Sequence, residues 1–320
     1  MFAVLSFAGA LLVPASHAQA AYADALKAYQ QKDWPTAFEE AGHLARQGKP
    51  RGQALLAALY AQGLGVKRDL ELALRWYSAA ADQGHSGALF AMGLMYLDGR
   101  AGSLDLKRAK GLFIKAAEKG HVPAAHNIGL IFAGAGGGKP DWKSAAAWFS
   151  TAAEKEFPEA QYNLGILFAE GRGVDKDLVK AGHWLSKAAL QGLRDAARDY
   201  GIMIFRGEGV QKNEKIGAQW LLVAANKGDV VAQNRIARLF MTGRGVDKNP
   251  VEAARWHLLA TEAGMPDPQV EAFAGKLSGD QLKRAQKLAL EWRKTTGIRP
   301  PSGRSTLVVK GSSAEKSKSQ

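Results

Sequence analysis

An all-α fold, specifically a right-handed α-solenoid of helix-turn-helix repeats, is predicted by three superimposed spacings. Trp76, Trp148, Trp184, Trp220 and Trp256 fall on one 36-residue grid, with Leu112 in its only gap. Gly84, Gly120, Gly192, Gly228 and Gly264 keep the same interval, with Glu156 as the exception. A third column of small residues, Ala57, Gly93, Gly129, Gly165, Gly201 and Ala237, runs in step with both. Six 36-residue units therefore tile residues 49–264. A period of this size marks units that bury their apolar faces only against their neighbours.

The chain opens on an uncharged stretch, residues 1–20, in which Phe2 to Val13 is an apolar run too short to span a bilayer. Pro14 and the small-residue pattern Ala18-Gln19-Ala20 follow, as at a secretory cleavage site, so residues 1–20 read as a signal peptide. No Lys or Arg precedes the apolar run, as a start codon placed too far downstream would leave it. A periplasmic or secreted location follows, and no later segment is apolar enough to cross a membrane. Residues 21–48 continue the register through Asp33, Ala37 and Gly48. Tyr29 to Asp33 is five residues shorter than Tyr60 to Asp69, so this is a shortened, N-terminal capping helical pair.

Within each unit, apolar positions three and four apart define one face of a first helix. The small column sits on that face, flanked by a bulky one: Tyr60, Tyr96, Phe132, Phe168, Ile204 and Phe240. A glycine inside a helix costs about 1 kcal/mol against alanine, so its recurrence implies a closely approaching neighbour. The helix ends at Gly-x-Gly-Val turns (residues 63–66, 171–174, 207–210 and 243–246), where glycine supplies a left-handed C-cap. Asp69, Asp105, Asp141, Asp177, Asn213 and Asn249 come next. Their side-chain oxygens suit the orphan amides of a second helix, and the periodicity makes them caps rather than catalytic acids. The second helix carries the tryptophan column, expected to be buried where units meet. After Gly264, residues 265–296 form C-terminal capping helices, with Ser278 and Gln281 spaced as a capping box. Residues 297–320, rich in Ser, Lys and Gly, read as a disordered basic tail.

This pattern, clearest in AQYNLGILFAEGRGVDKDLVKAGHWLSKAALQG at residues 160–192, resembles the Sel1-like repeat, a subclass of the tetratricopeptide superfamily. The third unit departs from it, with Ala133-Gly-Ala-Gly-Gly-Gly138 in the turn and Glu156 for glycine. The resemblance implies a non-enzymatic protein-interaction scaffold, which in exported bacterial members serves signalling control, envelope assembly or host contact. It also implies that the first helices line a concave surface. There the first-helix column reads Leu55, Ala91, Asn127, Asn163, Asp199 and Arg235. Seven residues on, and so on the same side of the helix, stand Gln62, Asp98, Gly134, Glu170, Arg206 and Thr242. Asn127, Asn163, Asp199, Arg235, Asp98, Glu170 and Arg206 are the candidate partner-binding residues. Asparagine offers both donors and acceptors to an extended peptide.

No chemistry-bearing constellation competes with this reading. The absence of cysteine removes disulfides and thiolate zinc sites, and the resemblance to a cysteine-rich subgroup credited with β-lactam hydrolysis fails on the same ground. Gly134 to Lys139 lacks the first glycine and the Ser/Thr of a phosphate loop, having Ala133 and Pro140 there. Asp175 and Asp177 lack an EF-hand frame. None of the seven histidines has the i, i+4 spacing of a helical zinc pair. No catalytic residue, metal or cofactor is assigned. A formal charge of +13, from 43 Lys+Arg against 30 Asp+Glu, calls for an anionic partner. With export, an envelope or periplasmic protein is the expected partner and a regulator of signalling or exopolysaccharide production the expected role. An anionic glycan or lipid head group bound by the basic surface is the alternative, and nucleic acid falls away.

Overall fold

Successive units bury one another through paired helices, as the spacings require. The computed structural model describes residues 14–298, with side chains from residue 20. The apolar run Phe2–Val13 and the tail beyond residue 298 lie outside the described residues. Among those described, sixteen α-helices and no strands occur. The opening pair is α1 (Pro14–Gln30) and α2 (Trp34–Arg46). The first helices of the six units are α3 (Pro50–Gln62), α5 (Ser86–Leu97), α7 (Val122–Phe132), α9 (Pro158–Glu170), α11 (Arg194–Arg206) and α13 (Val230–Thr242). The second helices are α4 (Leu70–Asp82), α6 (Leu106–Glu118), α8 (Trp142–Ala153), α10 (Leu178–Leu190), α12 (Glu214–Asn226) and α14 (Pro250–Glu262). The short α15 (Pro268–Ala274) and α16 (Gly279–Thr296) follow. The chain divides after Ile131 into two compact units, each a solenoid segment of helical repeats.

All six periodic acids and amides cap second helices. Asp69 accepts from the Leu72 amide at 2.9 Å, Asp105 from Arg108 at 2.8 Å, and Asp141 from Ser144 at 3.0 Å. Asp177 accepts from Lys180 at 2.9 Å, Asn213 from Ile216 at 3.0 Å, and Asn249 from Glu252 at 3.1 Å. Each cap also donates its own amide to the bulky residue of the first helix, as Asp177 does to Phe168 and Asn213 to Ile204, both at 2.9 Å. One residue thus closes the turn from both sides. Ser278 and Gln281 form the reciprocal box that starts α16.

The turn glycines do different work. The first, such as Gly171 at φ 72°, is a left-handed C-cap. At the second, a Cβ would stand 2.1 Å from the Trp142 carbonyl at Gly173 and 2.2 Å from that of Leu178 at Gly209. The turn of one unit therefore rests on the start of the previous second helix, and only glycine permits the approach. Buried Gln161 donates to the Ala153 carbonyl, and Gln233 to that of Ala225, stitching first helices to the preceding unit.

One packing expectation needs correction. Trp256 is buried, but Trp76, Trp148, Trp184 and Trp220 are only half-buried. Among the bulky second-helix columns, the one buried in every unit is the next residue: Tyr77, Phe113, Phe149, Leu185, Leu221 and His257. A Cβ on Gly93 would fall 2.5 Å from the Phe113 ring, and on Gly165 2.9 Å from Leu185 Cγ. The small column makes room for this residue. The tryptophan, rotated by one helical step, covers the edge of the contact.

Candidate partner-binding face

The first-helix positions singled out by sequence behave differently in the two units. In the segment before residue 132, the Asn127 amide donates to the Pro123 carbonyl of its own helix at 2.9 Å. Asp98 ends α5 and pairs with Arg100 at 2.6 Å. Neither side chain is held toward a common partner by a neighbouring helix.

In the segment from residue 132, the candidates fall into two groups. Asn163 and Glu170 line one small cavity of about 40 Å³ with Trp142, Tyr162 and Arg172. The Arg172 guanidinium lies over the Trp142 ring at 5.1 Å and pairs with Glu170 at 2.9 Å. Seven-residue spacing does bring Asn163 and Glu170 to one side of α9.

Arg206 and Arg235 line a larger cleft of about 560 Å³, shared by α11, α13 and the residues around them. Arg238 and Arg244 line it too, with Phe205, Leu239 and Met241 supplying apolar wall. Arg206 meets Glu208 at 3.4 Å, and Arg244 meets Glu214 at 2.5 Å. Arg238 pairs with Asp267, a buried carboxylate that caps α15 by accepting from the Gln269 and Val270 amides. Arg235 has no such partner among the described residues. Burial, and then the guanidiniums of Arg206 and Arg238, push its pKa down from the usual arginine value, and the attraction of Asp199 offsets this only in part.

Asp199 stands one unit before Arg235 in the same column and looks like its counterion. It is already taken. Arg198 grips Asp199 through two bonds at 2.7 and 2.9 Å, and Tyr162 donates to it at 3.0 Å. Arg198 also reaches the buried Asp229 at 2.9 Å, and Asp229 in turn caps α13. Burial opposes the charge on Arg198, but its bonds and attraction to Asp199 and Asp229 prevail and raise its pKa. Burial, reinforced by Asp199, raises that of Tyr162. This network ties α9, α11 and α13 together, so Asp199 is an internal strut rather than an open contact.

Sequence reasoning missed Arg198, Arg238 and Arg244. Arg238 was visible as a break, because its column otherwise reads Ala58, Leu94, Leu130, Ile166 and Ile202. Among the described residues no three His, Asp or Glu side chains gather as a metal site, and no helix is long and apolar enough to cross a membrane.

Known proteins share the repeat and the fold. The Sel1 repeat family matches residues 50–85, 86–121, 122–157, 158–193, 194–229 and 230–265. A solved structure described as a protective antigen present in uropathogenic Escherichia coli strains, displaying an SLR fold, is 26% identical with a TM-score of 0.72. That similarity covers 86% of this chain and 62% of the other, so the chain spans less than two thirds of that protein. A Sel1 repeat protein from Oxalobacter formigenes is 27% identical with a TM-score of 0.64, over 75% of this chain and 96% of that one. No curated protein matches the chain.

Proposed function

The chain belongs to the Sel1-repeat family, whose members are generally protein-interaction scaffolds, and we propose that it binds another protein of the cell envelope without catalysing a reaction. The observation that carries this is the division of labour among the repeat columns. The small, bulky, glycine and cap columns are all consumed in stacking or in closing turns. Asn163 and Arg235, from one first-helix column, instead line cavities, and the residue type of that column changes from unit to unit. Varied side chains on a rigid, repeated frame are what partner selection requires. Asn163, Glu170, Arg206 and Arg235 are the contact residues within the second segment, with Asn127 and Asp98 as contacts in the first. Asp199 acts through the network that positions them.

Export fits the packing of the opening pair. Cleavage after Ala20 would shorten α1 but keep Ala25 and Ala28, the α1 residues buried in the cluster with α2. The mature protein would then act in the periplasm or outside the cell, as a regulator of envelope signalling or exopolysaccharide production.

The test is photocrosslinking in intact cells, with benzoyl-phenylalanine placed at 163, at 242 beside Arg235 in the cleft or, as a control, at the second-helix position 187. The expected result is one common partner protein trapped from 163 and 242 and not from 187. A partner trapped from 187 alone would reject the first-helix face. Binding of an anionic glycan by the basic surface, suggested by the +13 charge, would instead collapse as ionic strength rises.

A further inference from the structure

The cleft between α11 and α13 presents four guanidiniums and no carboxylate of its own. Three of the four are answered from outside its lining: Arg206 by Glu208, Arg238 by Asp267 and Arg244 by Glu214. Arg235 is half-buried, and its nearest plausible counterion, Asp199, is held by Arg198 and Tyr162. A partly desolvated guanidinium with no ion pair of its own is costly, and the more distant attraction of Asp199 offsets that cost only in part. The remaining wall is apolar, from Phe205, Leu239 and Met241 among others, with Asn234 and Thr242 as polar neighbours.

We propose that this cleft is a specific receptor for one carboxylate group carried next to an apolar side chain, Arg235 taking the carboxylate and Phe205, Leu239 and Met241 taking the apolar group. The inference deepens the scaffold reading and rests on it: the ligand is a segment of the partner protein. One unanswered guanidinium matches a monoanion rather than a polyanion. Its planar fork of donors suits bidentate contact with a carboxylate. The volume, about 560 Å³, lies in the range of pockets that enclose small ligands and so admits more than a carboxylate alone. The carboxylate can come from an acidic side chain or from the partner's C-terminus.

The test uses the full chain with arginine side chains labelled for NMR. Three probes are titrated: acetyl-leucyl-phenylalanine as the free acid, acetyl-glutamyl-phenylalanine amide, and acetyl-leucyl-phenylalanine amide. Saturable shifts of the Arg235 Nε–H resonance with either acid, and none with the neutral amide, are expected. The free acid responding alone assigns a chain terminus; the glutamyl amide responding alone assigns an acidic side chain. Arg235→Gln should weaken the responding probe about tenfold or more, as loss of a charge-assisted bond implies, while the urea midpoint stays in place. If the variant unfolds, Arg235→Lys, which keeps charge and loses the fork, serves instead. No saturable shift with either acid, an equal shift with the neutral amide, or tighter binding of inorganic phosphate at the same resonance would overturn the inference. Crosslinks from 163 and 242 to one partner, without carboxylate binding, would leave the scaffold reading standing and remove only the pocket. Carboxylate binding without any first-helix crosslink would do the reverse.

Discussion

Gly217→Ala tests whether helix approach, rather than tolerance of small residues, sets the repeat frame. Gly217 on α12 faces Gly201 on α11, the one unit in which both opposed small residues are glycine; the fourth unit pairs Gly165 with Ala181. A Cβ on Gly217 would lie 2.7 Å from the Phe205 amide nitrogen and 2.8 Å from both the Phe205 Cα and the Gly201 carbonyl oxygen. Carbon contacts settle at about 3.5–4.0 Å, and all three obstacles are backbone, so the helices must separate. Overpacking of this kind costs about 1–3 kcal/mol. Alanine returns about 1 kcal/mol of helix propensity. The fourth unit shows that a glycine–alanine spacing is attainable, which places the steric cost near the middle of its range. The net expectation is destabilisation by about 1 kcal/mol. Gly111, mid-helix in α6 with nothing within 4 Å of its would-be Cβ, is the control. Gly111→Ala should stabilise by about 0.5–1 kcal/mol through propensity alone. Urea titrations followed by circular dichroism compare the two by linear extrapolation. Equal stabilisation by both substitutions would refute the close-packing argument.

Leu185→Ala should cost about 3 kcal/mol, because a buried side chain filling the space beside Gly165 is lost, whereas Trp184→Ala should cost less; a reversed order of melting temperatures would restore the tryptophan column as the core. Asn213→Ala should lower stability by about 1 kcal/mol through loss of the bond to the Ile216 amide, and Asn213→Asp, the residue of four other units, should recover most of it in the same titration. Burial pushes the His126 pKa down to about 4, so the folded state resists a proton that the unfolded chain accepts at its ordinary value of 6.5. Stability is therefore full above pH 6.5, falls as pH drops toward about 4, and levels below; urea midpoints across this window should show a shallower fall in His126→Gln.

The fold was legible because every unit repeats the same physical solution. Six capping side chains, four Gly-x-Gly turns and a small-residue column each have a local mechanism that spacing alone reveals. Depth within the core was less legible. Apolar residues at adjacent positions, Trp184 and Leu185, both satisfy a helical stripe, yet one step of the helix rotates them by about 100°. Only the placement of the facing glycine decides which enters. Gly165 stands against Leu185, so the smaller residue is the buried one. The candidate face was legible as a column and not as a site, since a column says which side chains share a side and nothing about which of them are already paired. Asn127 shows the difference: its amide turns back on its own helix.

The pairing itself follows from where the period breaks. Residues that keep the 36-residue register are used up in building the array, so what remains for recognition is supplied by departures from it. The column of Arg198 reads Ala54, Phe90, His126, Tyr162 and then Arg198, and the column of Arg238 is apolar until Arg238 itself. Arg198 captures Asp199, which would otherwise answer Arg235. Arg238 captures Asp267, which belongs to the short helix after the last repeat and not to any unit. Arg198 and Arg238, each pairing with an acid, thus leave Arg235 without an ion pair of its own beside an apolar wall. The consequence is testable at Arg198. Arg198→Met should free Asp199 to turn toward Arg235 and should weaken carboxylate binding in the cleft although residue 198 does not line it. Because Asp229 loses its bond to Arg198 as well, the variant will lose stability, so the comparison is made with Arg198→Met/Asp199→Asn, in which the Asp199 carboxylate is gone. Carboxylate binding that falls in the single variant and returns in the double one identifies Asp199 capture as the cause. Equal loss in both would mean that Arg198 acts only by propping the helices apart and that Asp199 capture does not leave Arg235 open to a ligand.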